Sequence, residues 1–132
     1  MKKITIAVLL AGAVGIAAAH SPRSAKKGGG FKDLKVLPKD IPPKDLQGIM
    51  ADDFEDGLGV SCGFCHANAN GGHGLDFASD AKPEKSIARA MMRMTIGLNK
   101  KYFKVRKPMI GSATLTITCS TCHKGQPFPD GQ

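Results

Sequence analysis

The stretch "CGFCH" (62–66) opens the segment "CGFCHANANGGHG" (62–74), and 57 residues after Cys62 the same punctuation returns as "CSTCHKGQPFP" (119–129). The chain has four cysteines, all in these two clusters, and each cluster ends in a histidine. Four explanations compete. Disulfides would use the cysteines and leave the histidines without a role. A zinc site built from two Cys-x-x-Cys pairs sets them about 15–20 residues apart, whereas 53 residues separate Cys65 from Cys119. A redox dithiol belongs in strand–helix–strand surroundings, and neither cluster has them. Covalent haem gives every residue of the motif a task. Two thiols spaced by two residues match the two vinyl groups of a porphyrin, and the adjacent histidine supplies an axial nitrogen to the iron. Cys62, Cys65, Cys119 and Cys122 are therefore expected as thioether anchors of two haem c groups. His66 and His123 are expected as their first axial ligands.

The beginning of the chain agrees with that chemistry, which is carried out outside the cytoplasm. "MKKITIAVLLAGAVGIAAAH" has two lysines, an apolar run from Ile4 to Ala19 and small residues at its end. That is the layout of a cleaved secretory leader over residues 1–19. The run is short against the ~20 residues that span a bilayer. Residues 20–30, "HSPRSAKKGGG", are expected to be a flexible basic linker, and residues 31–132 a single domain.

Within that domain the pattern is helical. Pro43 suits a first helical turn. Leu46, Ile49, Met50 and Phe54 then share one face, and Gly57 and Gly59 mark the end. A second helix is expected after Ser79 or Asp80 as cap, with Pro83 in the first turn and Glu84 on the N-terminal dipole. Ile87, Met91, Met94, Leu98 and Tyr102 form its apolar stripe, and Pro108 and Gly111 break it. "TLTIT" (114–118) alternates like a short strand. The expected fold class is mainly α, a small multihaem c-type cytochrome of two helix–loop–CxxCH units with little or no sheet. Aromatic residues are few, with no Trp, one Tyr and six Phe. The protein core is expected to be modest, and the porphyrins to enlarge it.

Charge is unevenly spread. The formal charge is +8, and nine basic residues between Lys82 and Lys107 face one acid, Glu84. Such a stripe suits anionic lipid, an acidic protein or nucleic acid, and export argues against nucleic acid. Haem propionates are a further use for some of these cations.

The second axial ligand decides what each iron does. Methionine raises the potential, and an open position admits small molecules. The spare histidines are His20, in the linker, and His73, in the glycine-rich loop. The methionines are Met50, 12 residues before Cys62, then Met91, Met92 and Met94 in the second helix, and Met109, 10 residues before Cys119. Met92 points about 100° away from Met91. Spacing alone does not choose among them.

"DLQGIMADDFEDGLGVSCGFCH" (45–66), the A-R-x-M-x-x-M-T string of Ala88–Thr95 and the T-C-x-T-C-H-x-G-x-P run of Thr118–Pro127 resemble the cytochrome c subunit of photosynthetic reaction centres. The resemblance runs from about Phe31 to Pro129. It implies a repeated unit in which a helix supplies methionine and the following loop supplies Cys-x-x-Cys-His. It implies Met50 as the ligand opposite His66, and Met91 opposite His123, in preference to Met94 or Met109. The chain also departs from that family. It carries two motifs where the family has four haems, it has Val105 where the family's helix bears a further histidine, and it lacks the lipid-bearing cysteine.

The expected function is a periplasmic electron carrier with redox protein partners, acidic or membrane-bound, and not an enzyme. The alternatives are a wiring subunit of a larger membrane redox complex and a small haem peroxidase. A peroxidase needs an open iron and acid–base groups beside it, and the two helices supply only Glu55 and Glu84 besides aspartates.

Overall fold

A computed structural model describes residues 30–129. The leader expected at 1–19, and all of the expected linker but Gly30, lie outside the described residues. Among the described residues no helix is long and apolar enough to cross a membrane.

The first helix starts where proline dictates. Pro42 is extended, and helix α1 runs Pro43–Gly48 with no side-chain cap. The backbone stays helical beyond it but widens into a π segment over Ile49–Asp56. The amides of Gly57 and Val60 there reach carbonyls five residues back, on Asp52 and Glu55. π geometry is rare and concentrates at functional positions, and here it contains Met50. Ile49 is buried, and Leu46, Met50 and Phe54 pack beside it, so the expected apolar face is the face that packs. Gly59, at φ 64, turns the chain out of the helix.

Helix α2 is the single turn Cys62–Cys65. Strands β1 (Ala67–Asn68) and β2 (Leu75–Asp76) pair antiparallel across the glycine loop, with Ala67 opposite Asp76. This hairpin is the one sheet among the described residues, in keeping with a mainly helical chain. Helix α3 spans Pro83–Lys101 with Pro83 and Glu84 in its first turn, as the sequence suggests. The expected caps are otherwise engaged. Lys82 is the N-cap residue, Ser79 Oγ accepts from the Ala81 amide, and Asp80 binds Lys35 and Arg89. Helix α3 also stops before Pro108 and Gly111. The Val105 amide returns to the Asn99 carbonyl at 3.1 Å, and Lys104 takes a positive φ of 57°. Helix α4 is Cys119–His123, capped reciprocally by Thr118 and Thr121.

No strand forms at "TLTIT". The backbone there bonds to a side chain instead. Asn99 is 0% exposed. Its Oδ1 accepts from the Thr116 amide at 2.8 Å and the Ile117 amide at 3.1 Å. Its Nδ2 donates to the carbonyls of Ile117 at 2.7 Å and Thr95 at 3.0 Å. One amide thus replaces a partner strand and ties the approach to α4 onto α3.

The buried apolar side chains are Leu37, Ile41, Ile49, Met92 and Ile110, with a half-buried layer around them. That core is light for a domain of this size. The expected stripe of α3 contributes little to it. Ile87, Met91, Met94 and Tyr102 are exposed, while Lys85, Met92, Thr95 and Asn99 are buried. The helix therefore packs through a seam of mixed polarity and turns most of the expected stripe outward. The polar members of that seam are tolerated because they are bonded: Asn99 as above, and Lys85 through its Nζ to the carbonyls of Ser79 at 2.6 Å and Phe77 at 3.0 Å.

The units interlock. Helix α2 packs on α3, and α4 packs on the π segment. The Gly125 amide donates to the Gly57 carbonyl at 3.2 Å. A Cβ added at Gly59 would lie 2.2 Å from the Gly125 carbonyl oxygen.

Candidate haem sites

The first cluster is built around a cavity of about 260 Å³ with almost wholly apolar walls. Cys62, Cys65 and His66 line it from α2 and the residue after it, and Met50 lines it from the π segment. Met92, Phe54, Leu46 and Phe77 complete its apolar sides. The motif residues Cys62, Cys65 and His66 and the Met50 that the resemblance adds are thus brought to one space by the π segment, α2 and the residue that follows α2. Met92, set aside in the sequence reading because it points away from Met91, is a wall of this cavity. The Phe77 ring meets the His66 ring edge-on, with centroids 5.0 Å apart and planes at 65°. Phe77 carries no motif, and the sequence offers no signal for its position.

His66 fits the group expected here. Its Nδ1 is buried without a hydrogen-bond partner, a costly arrangement for a bare imidazole. Burial holds its pKa below the ordinary value, the Lys85 cation adds to this, and the nearby Phe77 carbonyl partly opposes it. The neutral ring is the ligating form. Cys65 is pushed up by burial and by Glu84, so it stays a thiol. The four cysteines are unpaired. Among the described residues no three His, Cys, Asp or Glu side chains converge on a point that would hold a bare cation. Zinc and disulfide readings thus find no support in the geometry, while an apolar slot beside two thiols, an imidazole and a thioether suits a porphyrin.

A charged brace closes one side of this cavity. Arg89 binds Asp33 at 2.7 Å and Asp80 at 2.6 Å. Lys85 lies 3.7 Å from Asp33 and 3.5 Å from Asp80. Lys35 contacts both carboxylates, and those hydrogen bonds, with Arg89, hold the Asp80 carboxyl well below the usual range. Three of the basic residues counted from Lys82 onward thereby serve the fold, because Lys82 Nζ also donates to the Gly63 and Phe64 carbonyls of α2.

The second cluster is assembled differently. The His123 Nδ1 lies 3.0 Å from the Gln126 carbonyl. As the donor it leaves Nε2 free to ligate, the arrangement that fixes a ligating histidine. Lys124 and Gly125, both at positive φ, bend the chain back to make that contact. Burial, with Asp53 nearby, pushes the Cys119 thiol up to about 11. Yet among the described residues none of the candidate methionines left for His123 is buried. Met91 and Met94 are 42% and 51% exposed, Met109 is exposed as well, and none of the three lines the first cavity. The structure thus gathers Met50, Cys62, Cys65 and His66. At the other end it presents Cys119, Cys122 and His123 on one turn, and Met91 on an open apolar helix face.

Comparisons with known proteins agree with the motif. The photosynthetic reaction centre cytochrome C subunit family matches residues 16–132. Cytochrome c-554 of Chloroflexus aurantiacus is 36% identical over 70 residues, which is 53% of this chain and 15% of that protein. The photosynthetic reaction center cytochrome c subunit of Rubrivivax gelatinosus is 31% identical over 68 residues, 52% of this chain and 15% of that protein. The chain thus spans a small part of the length of these relatives. No solved structure matches it significantly. With all of the described residues inside the match, the chain belongs to the photosynthetic reaction centre cytochrome C subunit family.

Proposed function

We propose that the protein is an exported dihaem c-type cytochrome that carries electrons between redox partners. Haem c would be held through Cys62 and Cys65 with His66 and Met50 as axial ligands. A second would be held through Cys119 and Cys122 with His123 and Met91. When bound, the haem iron supplies the one-electron chemistry. The residues of the chain hold the coordination constant, exclude water through the walls around Met50 and Phe77, and keep His66 neutral.

The observation that carries this reading is the meeting of Met50, Cys62, Cys65 and His66 in one apolar cavity. Support for the second site comes from the His123–Gln126 contact and from the apolar face that α3 leaves uncovered. The relatives are cytochromes by name, so the role assigned is carriage of electrons and not catalysis. A domain of about this length has a radius of gyration near 13 Å, which keeps the two haems close enough to exchange electrons. The leader-like start supports work in the periplasm. One relative is a reaction-centre subunit, which favours as second reading a wiring subunit of a membrane complex.

The test is a haem-per-chain count on the purified protein, followed by redox titration. Two haems and two one-electron waves are expected. A single haem overturns the proposal. Co-purification with a stable membrane complex, in place of a free chain, selects the wiring role.

A further inference from the structure

The segment "KKYFKVRK" (100–107) belongs to neither haem site. Lys100, Lys101, Lys104, Arg106 and Lys107 are exposed, and none forms an ion pair among the described residues. In this they differ from Lys85 and Arg89, whose charges are met by Asp33 and Asp80. No acidic residue lies between Glu84 and Asp130, so nothing nearby in the sequence dilutes the positive field. Two rings stand among the cations. Tyr102 is 62% exposed and Phe103 46% exposed, and the Lys101 ammonium sits 5.0 Å from the Tyr102 ring centroid. Beside them lies an open groove lined by Val105, Arg106, Lys107, Ser112 and Thr114. The Ser112 and Thr114 hydroxyls are 2.8 Å apart and share one hydrogen bond, which leaves one O–H free to donate outward.

We propose that residues 100–107 and this groove dock the protein on an anionic phospholipid surface. The cations and the free hydroxyl meet headgroup phosphates, and Tyr102 and Phe103 enter the interfacial layer. The order of residues favours lipid over an acidic protein. A protein interface buries its rings in a dry centre and leaves charges at the rim. Here Lys100 and Lys101 directly precede the two rings and Lys104 directly follows, so burying the rings against a protein would bury the cations too. At a membrane, long lysine and arginine stems reach the headgroups while the rings go beneath. Each cation near such a surface strengthens binding roughly fivefold, and salt screens the attraction. The inference does not depend on how many haems the chain carries.

The test is flotation of the haem-loaded, purified protein with phosphatidylcholine vesicles made with and without phosphatidylglycerol. Binding is expected only with phosphatidylglycerol and should be released by added sodium chloride. Replacing Lys104, Arg106 and Lys107 together by Gln should weaken it on the order of a hundredfold. Tyr102→Ser with Phe103→Ser, which leaves the charge intact, should weaken it about tenfold. An unchanged haem spectrum in each variant shows that the fold survives. Equal binding to both vesicles, no binding to either, or unchanged binding by either variant overturns the proposal. Retention on a polyglutamate resin without vesicle binding also overturns it, in favour of an acidic protein partner.

Discussion

The two Cys-x-x-Cys-His clusters are close copies in sequence and unlike in structure. The first lies in an apolar cavity that the chain builds for itself, with Met50 brought in by the π segment and a charged brace behind. The second is a capped turn packed on the π segment, and the two methionines of α3 offered as its ligand, Met91 and Met94, face outward. A motif specifies where a porphyrin attaches. It does not specify how much of the surrounding wall the polypeptide supplies. At the first cluster the wall is mostly protein. At the second, on our reading, the porphyrin itself covers Met91 and its neighbours.

The sharpest way to break this contrast is to remove each haem in turn. Cys62→Ala with Cys65→Ala should lower the haem count from two to one and leave a folded chain. Cys119→Ala with Cys122→Ala should lower it equally but leave Ile87, Met91 and Met94 uncovered, so the product should aggregate. Pyridine haemochrome counts and light scattering measure both, and equal solubility of the two variants removes the contrast. Met50→Ala and Met91→Ala should each open one iron to carbon monoxide and lower its potential on the order of 100 mV. Met94→Ala and Met109→Ala should do neither. An iron opened by Met94→Ala reassigns the second ligand.

Stability tests sharpen the comparison further. Asn99→Ala strands buried amides and carbonyls that lead into α4, and should cost about 3 kcal/mol in a denaturant titration. Gly59→Ala places a side chain against Gly125 at a φ of 64°. It should cost about 2 kcal/mol and disturb the spectrum of the second haem, although it lies in the first unit. The smallest effect concerns the brace. Asp80 is depressed in the folded chain, chiefly by Lys35 and then by Arg89. Its contribution is therefore present above the ordinary carboxylate pKa and fades as pH falls below about 4 towards the folded value. Asp80→Asn should flatten that part of the acid stability profile, measured by thermal melting across pH. An unchanged slope shows that the brace does not titrate as drawn.

Much of this was legible in the sequence. Pro43 and Pro83 mark true helix starts, and the face of Leu46, Ile49, Met50 and Phe54 packs as its spacing suggests. The rest was hidden for identifiable physical reasons. The apolar stripe of α3 is mostly exposed, because apolar spacing reports only that something apolar covers a face, and that something need not be polypeptide. Lys85, Thr95 and Asn99 form the buried seam because their polar atoms find backbone partners, and periodicity of apolar residues is blind to this. "TLTIT" alternates like a strand, yet the Asn99 amide takes the place of a neighbour. The π segment has no residue signature, so the resemblance singles out Met50 while nothing in the sequence signals the widening of the helix around it.

The hydrogen bond between Gly57 and Gly125 bears on how such a chain can change length. In a solenoid a repeat touches its neighbours in a uniform way and can be added or lost as a bead. Here the end of one unit's helix is a structural wall of the other unit's Cys-x-x-Cys-His turn, and the fit depends on glycines at 57, 59 and 125. Deleting the second unit would uncover a bare backbone edge in the first. A shortened descendant that kept only the first unit would need other cover for the backbone at Gly57 and Gly59.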